Sequence, residues 1–286
     1  MVTDNHDSPP VSPGEAPDPD FSAAAAEGND VVHAPRVVIG DRGAGWIVES
    51  WDGFRAAAGQ WLALCVVGLV IMIVIEYIPG VSLINSMLLK PVWIAGLMLA
   101  CQAQRQGKPV EVKHLFAGFS NKAGALIVCG LLEALISGAL IVVLLGPVLI
   151  DIFKAMFPGG AAPTLLDMVN FNVDIEDRTT LTRVMNAIDL YSLLIRILIL
   201  LALLIPVWAA TWFAPALIVL GGKTVKEALL LSLVGALKNT WPFLIYGLCG
   251  LLLCLLIPIT LGLALLALAP MMYISIYLSY RDIYLD

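Results

Sequence analysis

Six stretches of this chain are each apolar enough, for long enough, to cross a hydrocarbon layer, and this feature narrows the possible folds more than any other. They lie at about residues 61–78, 81–102, 123–150, 191–220, 241–257 and 259–280. A helical crossing needs about 20 apolar residues, whereas a membrane β-barrel would alternate apolar and polar residues over segments of about 10. That alternation is absent. Soluble domains are roughly 45–50% apolar and about 25% charged; this chain is 60% hydrophobic and 13% charged. The fold class expected is all-α: a polytopic membrane bundle of six transmembrane helices with interfacial amphipathic helices.

Two domains are expected. Residues 1–42 read as a disordered tail, because "SPPVSPGEAPDPD" and "SAAAAEGND" cannot bury enough apolar surface to offset the entropy of ordering. Within residues 1–41 eight acids face one base, Arg36. Residues 43–286 form the membrane domain. It starts with "GWIVESWDGFRAAAGQW", where Trp46, Trp51 and Trp61 recur at helical spacing as aromatic anchors for a helix in the headgroup layer. "GGKTVKEALLLSLVGALKN" predicts a second surface helix.

Basic residues near the helix ends set the threading. One side carries Arg55, Arg105, Lys108, Lys113, Lys122, Lys223, Lys226, Lys238 and Arg281; the other carries Lys154, Arg178 and Arg183. Both termini are therefore expected in the cytoplasm of a bacterial cell, with the chain in its inner membrane. The basic loops would rest on anionic lipid headgroups.

An internal repeat is also expected. "SWDGF", Trp61, Ile78-Pro79 and Pro91 match "SLVGA", Trp241, Ile257-Pro258 and Pro270, and both proline pairs are 12 residues apart (91 − 79 and 270 − 258). This suggests two related hairpins in parallel orientation, flanking the third and fourth spans. Helix kinks are expected at Pro91, Pro206 and Pro270. Pro91 recurs in the second copy and is architectural. Lys90 aligns with Ala269 and needs its own reason.

Four charges interrupt the apolar runs: Lys90, Glu133, Glu76 and Arg196. A charge at the bilayer centre costs about 2.5–3.5 kcal/mol on insertion scales. At about 1.5 Å per residue, Lys90 and Glu133 fall at one depth, and Glu76 and Arg196 both fall in the outer third. Two candidate ion pairs follow, Lys90–Glu133 and Glu76–Arg196. The plainer alternative makes the first a register pin and lets Glu76 and Arg196 snorkel to the boundary. Gly130, Ala134 and Gly138 form a short helix-packing stripe at four-residue steps.

Enzyme signatures are missing: no GxSxG, Walker loop, HExxH or GxGxxG. Five cysteines without a CxxC and three scattered histidines suggest neither metal nor cofactor. Asp174, Glu176 and Asp177 read as a solvated acidic loop. Neither charge nor motif suggests nucleic acid.

The blocks "GWIVESWDGFRAAAGQWLAL", "LKPVWIAGLMLACQAQRQGKPVEVKHLFAGF", "WFAPALIVLGGKTVKEALLLSLVGALKNTWPFLIYGL" and "SYRDIY" resemble a family of uncharacterised proteobacterial inner-membrane proteins over residues 43–286. More distantly, they are similar to the membrane domain fused to bacterial glycerophosphodiester phosphodiesterases, whose soluble hydrolase domain is absent here. The resemblance implies a multi-span protein and supplies no catalytic residues. The functional expectation is a non-enzymatic structural or regulatory membrane component with a protein partner or a second copy. The alternative is a small transporter or lipid-handling protein using Lys90 and Glu133.

The threading is checkable with an enzyme reporter active only outside the cytoplasm. Fused after Gly159 it is expected to be active; fused after Asp286 it is expected to be silent. The reverse pattern overturns the topology.

Overall fold

The computed structural model describes residues 30–78, 80–156 and 178–285. Pro79 and the loop acids Asp174, Glu176 and Asp177 lie outside them, as do residues 1–29. Among the described residues the fold is all helix, with no strand. Five helical segments are long and apolar enough to cross a membrane: Ala58–Glu76, Val81–Arg105, Ala123–Met156, Leu190–Val219 and Thr240–Ile259. The stretch expected as a sixth span is interrupted at residues 260–264, and the helix that follows, Leu265–Tyr284, ends in Arg281 and Asp282.

In chain order the helices are α1 (Arg42–Ala56), α2 (Ala58–Glu76), α3 (Val81–Ile84), a π-helical turn (Asn85–Leu89), α4 (Lys90–Arg105), α5 (His114–Ser120), α6 (Ala123–Met156), α7 (Arg178–Ala187), α8 (Leu190–Trp212), α9 (Ala214–Val219), α10 (Val225–Lys238), α11 (Thr240–Cys254), α12 (Leu256–Ile259) and α13 (Leu265–Tyr284). α1 packs on α13 and α11, α5 packs on α4, and α10 packs on α8 and α9. α4 touches both α9 and α13.

The helix boundaries have local causes. α1 buries Gly43, Trp46, Ser50 and Phe54, a three-to-four-residue spacing that forms one face. Its tryptophans depart from the expected anchoring role. Trp46 and Trp61 are fully buried, and their indole N–H groups donate to Asp282 Oδ2 (2.8 Å) and Gln104 Oε1 (2.9 Å). Only Trp51 is exposed. α10 starts at a capping box: Thr224 N–H donates to Glu227 Oε2 (3.0 Å), and Glu227 N–H donates to Thr224 Oγ1 (3.4 Å). The Thr224 N–H also holds the Glu227 carboxyl below its usual range. Pro206 lies inside α8, and the fourth span is interrupted at Phe213, just ahead of Pro215. Pro270 likewise lies inside α13.

The core occupies one end of the bundle. Val92, Ala95 and Met98 of α4, Phe213 and Leu217 around α9, and Ile274 and Tyr280 of α13 are buried there. At the other end α2, α6, α8 and α11 expose leucine, isoleucine and valine along their lengths. In hydrocarbon such exposure carries no penalty.

Residues 30–41, placed by sequence in the disordered tail, form a strap across the packed end. The N–H groups of Asp30, His33 and Arg36 donate to the carbonyls of Leu220 (2.9 Å), Tyr284 (2.9 Å) and Ile283 (3.0 Å). Asn239 accepts from Val38 N–H (2.8 Å) and donates to Arg36 O (2.8 Å). The strap thus serves the unpaired carbonyls that every helix leaves at its C-terminal end. Composition could not reveal this: besides the backbone bonds, of the apolar side chains in this segment only Val32, Pro35 and Val38 pack inward.

Glycine sets two of the closest approaches. A Cβ at Gly118 of α5 would lie 2.0 Å from the Val92 carbonyl oxygen, and one at Gly43 of α1 would lie 2.1 Å from that of Pro242. Gly118→Ala is expected to lower the stability of the detergent-solubilised protein by about 1–3 kcal/mol. Gly138→Ala, with no atom within 4 Å of the added carbon, is expected to be neutral or slightly stabilising. Equal thermal melts for the two variants would contradict this packing.

Candidate functional site

The spans are joined by polar groups at their irregular points. Pro91 lacks an N–H, and its ring crowds the carbonyl four residues earlier; the π-helical turn Asn85–Leu89 lies directly ahead of it. Turns of this kind recur at functional sites. Asn85 is buried in that turn. Its Oδ1 accepts from Trp93 Nε1 (2.8 Å), and its Nδ2 approaches Met72 Sδ (3.6 Å), so it ties α2, the π turn and α4 together. Trp93 meets Phe116 and Phe119 of α5 edge-on.

The break at Phe213 has its own repair. Ser232 of α10 is fully buried; its Oγ accepts from Phe213 N–H (3.0 Å) and donates to the Ala209 carbonyl (2.7 Å). Phe213 and Ala209 are the two ends of one ordinary helical hydrogen bond, four residues apart. The hydroxyl is inserted between them.

These repairs frame a hollow of ≈ 630 Å³ between α2, the π turn, α4, α8 and α13. Trp93, Trp208, Trp212 and Tyr273 provide aromatic wall, Asn85, Ser86 and Thr211 provide polar wall, and Lys90 is the one charged residue of the lining among the described residues. Pockets of about 300–1,000 Å³ hold small ligands. A second hollow of ≈ 360 Å³, between α1, α11 and α13, is lined mainly by leucine, isoleucine, methionine and glycine; the Tyr246 and Ser275 hydroxyls in its wall bond to each other (2.9 Å).

Lys90 Nζ donates to Glu133 Oε1 at 2.7 Å. The two side chains differ in surroundings: Glu133 is 13% exposed, whereas Lys90 is 51% exposed. The carboxylate is largely enclosed, and Lys90 is also part of the lining of the hollow. An ammonium has three N–H donors, and one bond to Glu133 occupies one of them.

Glu76 and Arg196 do not meet. Among the described residues no ion pair joins them: Glu76 is exposed at the end of α2, while Arg196 donates to Ser192 Oγ (3.2 Å) and to the Leu144 carbonyl (3.1 Å). Equal depth fixes height along the bundle but not direction around it. Of the small-residue stripe, Gly130 faces the Leu88 backbone, Ala134 lies beside the same turn, and Gly138 faces open space. The close approach is made by Gly130 alone.

At the packed end, the Asp30 carboxylate lies 3.5 Å from Gln102 Nε2 of α4 and 3.5 Å from the Tyr280 hydroxyl of α13, and burial raises its pKa. Arg42 bridges Glu49 (2.6 Å) and Asp282 (2.6 Å). Sequence reading singled out none of Asn85, Ser232, Asp30 or Asp282. A usable signal existed for Ser232, a hydroxyl in the middle of an apolar helix. Among the described residues no group of three metal-ligating side chains converges.

The chain matches no family model, no curated protein and no solved structure.

Pairing of Lys90 with Glu133 is measurable by a double-mutant cycle on thermal unfolding in detergent. Lys90→Met and Glu133→Gln are each expected to destabilise, and the double variant by less than their sum, with a coupling of about 1–2 kcal/mol, the exposure of Lys90 keeping it moderate. Strict additivity contradicts the pair.

Proposed function

We propose that this chain is a non-enzymatic, multi-pass inner-membrane protein that binds an anionic amphiphile in the hollow beside Lys90. The observation that carries the reading is the half-exposed ammonium in an aromatic-walled hollow of ≈ 630 Å³. A pin that served only helix register would be enclosed on both sides. Here Glu133 is largely enclosed, whereas Lys90 is half-exposed and lines the hollow. This contrast supports lipid handling over a purely structural role.

The reading includes six crossings, with α13 forming the sixth. In support, α13 packs against α1, α2 and α4, and its only charges, Arg281 and Asp282, lie at the strap end. It also includes three related units rather than two. Pro91-Val92-Trp93 and Pro206-Val207-Trp208 each stand 16 residues before a Gly-Lys pair (107 − 91 and 222 − 206). Both glycines, Gly107 and Gly222, have φ of 75° and 65°, a region that favours glycine. Pro270-Met271-Met272 stands at the corresponding place in α13. The second residue after each proline, Trp93, Trp208 and Met272, lines the hollow. In each unit a short surface helix packs on the inner helix of the unit before it: α5 on α4, α10 on α8 and α9, and α1 on α13. The hollow is then central to a ring of three. The basic loops gather at the strap end, which the positive-inside tendency assigns to the cytoplasm.

The ligand is defined by the chemistry of the wall. One carboxylate or phosphate meets Lys90, and an apolar body lies along Trp93 and Trp208. Native mass spectrometry of gently purified protein is expected to find a bound anionic phospholipid or fatty acid on the wild type. Lys90→Met is expected to bind it about 10–100-fold more weakly, the effect of losing a hydrogen bond to a charged group worth about 1.5–3 kcal/mol. Identical occupancy in both proteins overturns the proposal.

A further inference from the structure

We infer that ligand binding in the hollow is an exchange of partners on Lys90, in which the ligand's anion takes the ammonium and Glu133 takes up one proton. The inference rests on the proposed amphiphile site and adds a coupling to it. Before binding, Lys90 and Glu133 form a neutral pair at 2.7 Å. An arriving anion adds one negative charge to an environment of helices and lipid, where an uncompensated charge is strongly disfavoured. The lysine can balance one anion, not two.

Among the described residues Glu133 pairs with no second cation. Of the elements packed against α6, α4 brings Lys90 and α8 brings Arg196. Arg196 is engaged with Ser192 and with the Leu144 carbonyl, 11 residues along α6 from Glu133 (144 − 133) and so about 16 Å away. The other charged or titratable residues on α6 and on the elements packed against it include Arg105 on α4, Arg178 and Arg183 on α7, His114 on α5, Lys226, Glu227 and Lys238 on α10, and Asp151 and Lys154 of α6 itself; among the described residues none of these pairs with Glu133. Cys129, one turn from Glu133 on α6, and Tyr273, across the hollow on α13, are neutral when protonated and supply no positive charge. A carboxylate left alone in such surroundings becomes neutral by protonation.

The step balances. The ion pair, one ligand anion and one proton from water become a lysine–ligand ion pair and a neutral Glu133 carboxyl. No covalent bond other than O–H forms, and the net charge of the site stays at zero. Unequal exposure gives the exchange its geometry: Lys90 is half-exposed and lines the hollow, whereas Glu133 is largely enclosed and does not line it. Anion binding therefore draws on the proton concentration, and a proton gradient across the membrane can drive loading or release.

The test uses the full chain in detergent with decyl sulfate, below its micelle concentration, as the probe. Its sulfate stays ionised throughout the working pH range, so any proton taken up belongs to the protein. Calorimetric titration in two buffers of different ionisation enthalpy is expected to show about one proton absorbed per anion bound. Affinity is expected to fall about tenfold per unit of rising pH where Glu133 is ionised in the free protein. Glu133→Gln, which leaves Lys90 without its resident partner, is expected to bind more tightly, with no proton uptake and a flat pH profile. Nanodiscs of phosphatidylglycerol against phosphatidylcholine repeat the comparison with a lipid headgroup as the anion. If the wild type binds no decyl sulfate and shows no preference for phosphatidylglycerol, the amphiphile site itself is wrong. If the wild type binds the probe with no proton uptake and no pH dependence, the exchange is wrong and the site stands. The pH profile of the wild type decides this even where Glu133→Gln fails to fold.

Discussion

A backbone N–H or C=O in hydrocarbon has no water to turn to, and the rest of this structure is arranged around that constraint. Regular helix meets it unaided, so the informative places are those where the helix is irregular. At Phe213 the Ser232 hydroxyl stands inside a stretched helical hydrogen bond. After residue 259, where the helix stops, Thr260 donates to the Leu256 carbonyl and accepts from Ala264 N–H. Each side chain lets the chain change direction without leaving a polar group bare. The hollow beside Lys90 is lined by residues at two irregular sites, the π turn and the break after Trp212.

The two ends of the bundle follow different physics. The strap end is packed as in a soluble protein, with Trp46, Trp61, Tyr280 and Tyr284 fully enclosed and each polar tip of the tryptophans bonded. The opposite end presents aliphatic side chains outward and packs loosely between helices. Stability resides at the first end. The second is free to be hollow, because lipid and not neighbouring side chains fills the space around it. A ligand group placed there disturbs little of the core.

Much of this was legible in the sequence where the signal is one-dimensional. Continuous apolar runs located Ala58–Glu76, Val81–Arg105, Ala123–Met156, Leu190–Val219 and Thr240–Ile259 to within a few residues. Counting residues from the helix ends put Lys90 level with Glu133, which lie 2.7 Å apart. The same count put Glu76 level with Arg196, which form no ion pair among the described residues, because depth carries no azimuth. Trp46 and Trp61 read as interface anchors since their pattern on the helix is amphipathic; their burial depends on Asp282 and Gln104, residues far along the chain. The strap was not legible at all. Much of its attachment is by main-chain hydrogen bonds, and composition says nothing about where a backbone will find its acceptors.

The strap has a consequence for the order of biosynthesis. Asp30, His33 and Arg36 leave the ribosome before any span has been made, yet the carbonyls they bond belong to Leu220, Ile283 and Tyr284. No nascent intermediate short of α13 can offer those acceptors together. The earliest described segment must therefore wait, unseated, until nearly the whole polypeptide has been translated and inserted. Seating of the strap is then a completion mark: it reports that the last helix has arrived, and a chain stalled before α13 would leave its amino-terminal segment open to proteolytic surveillance.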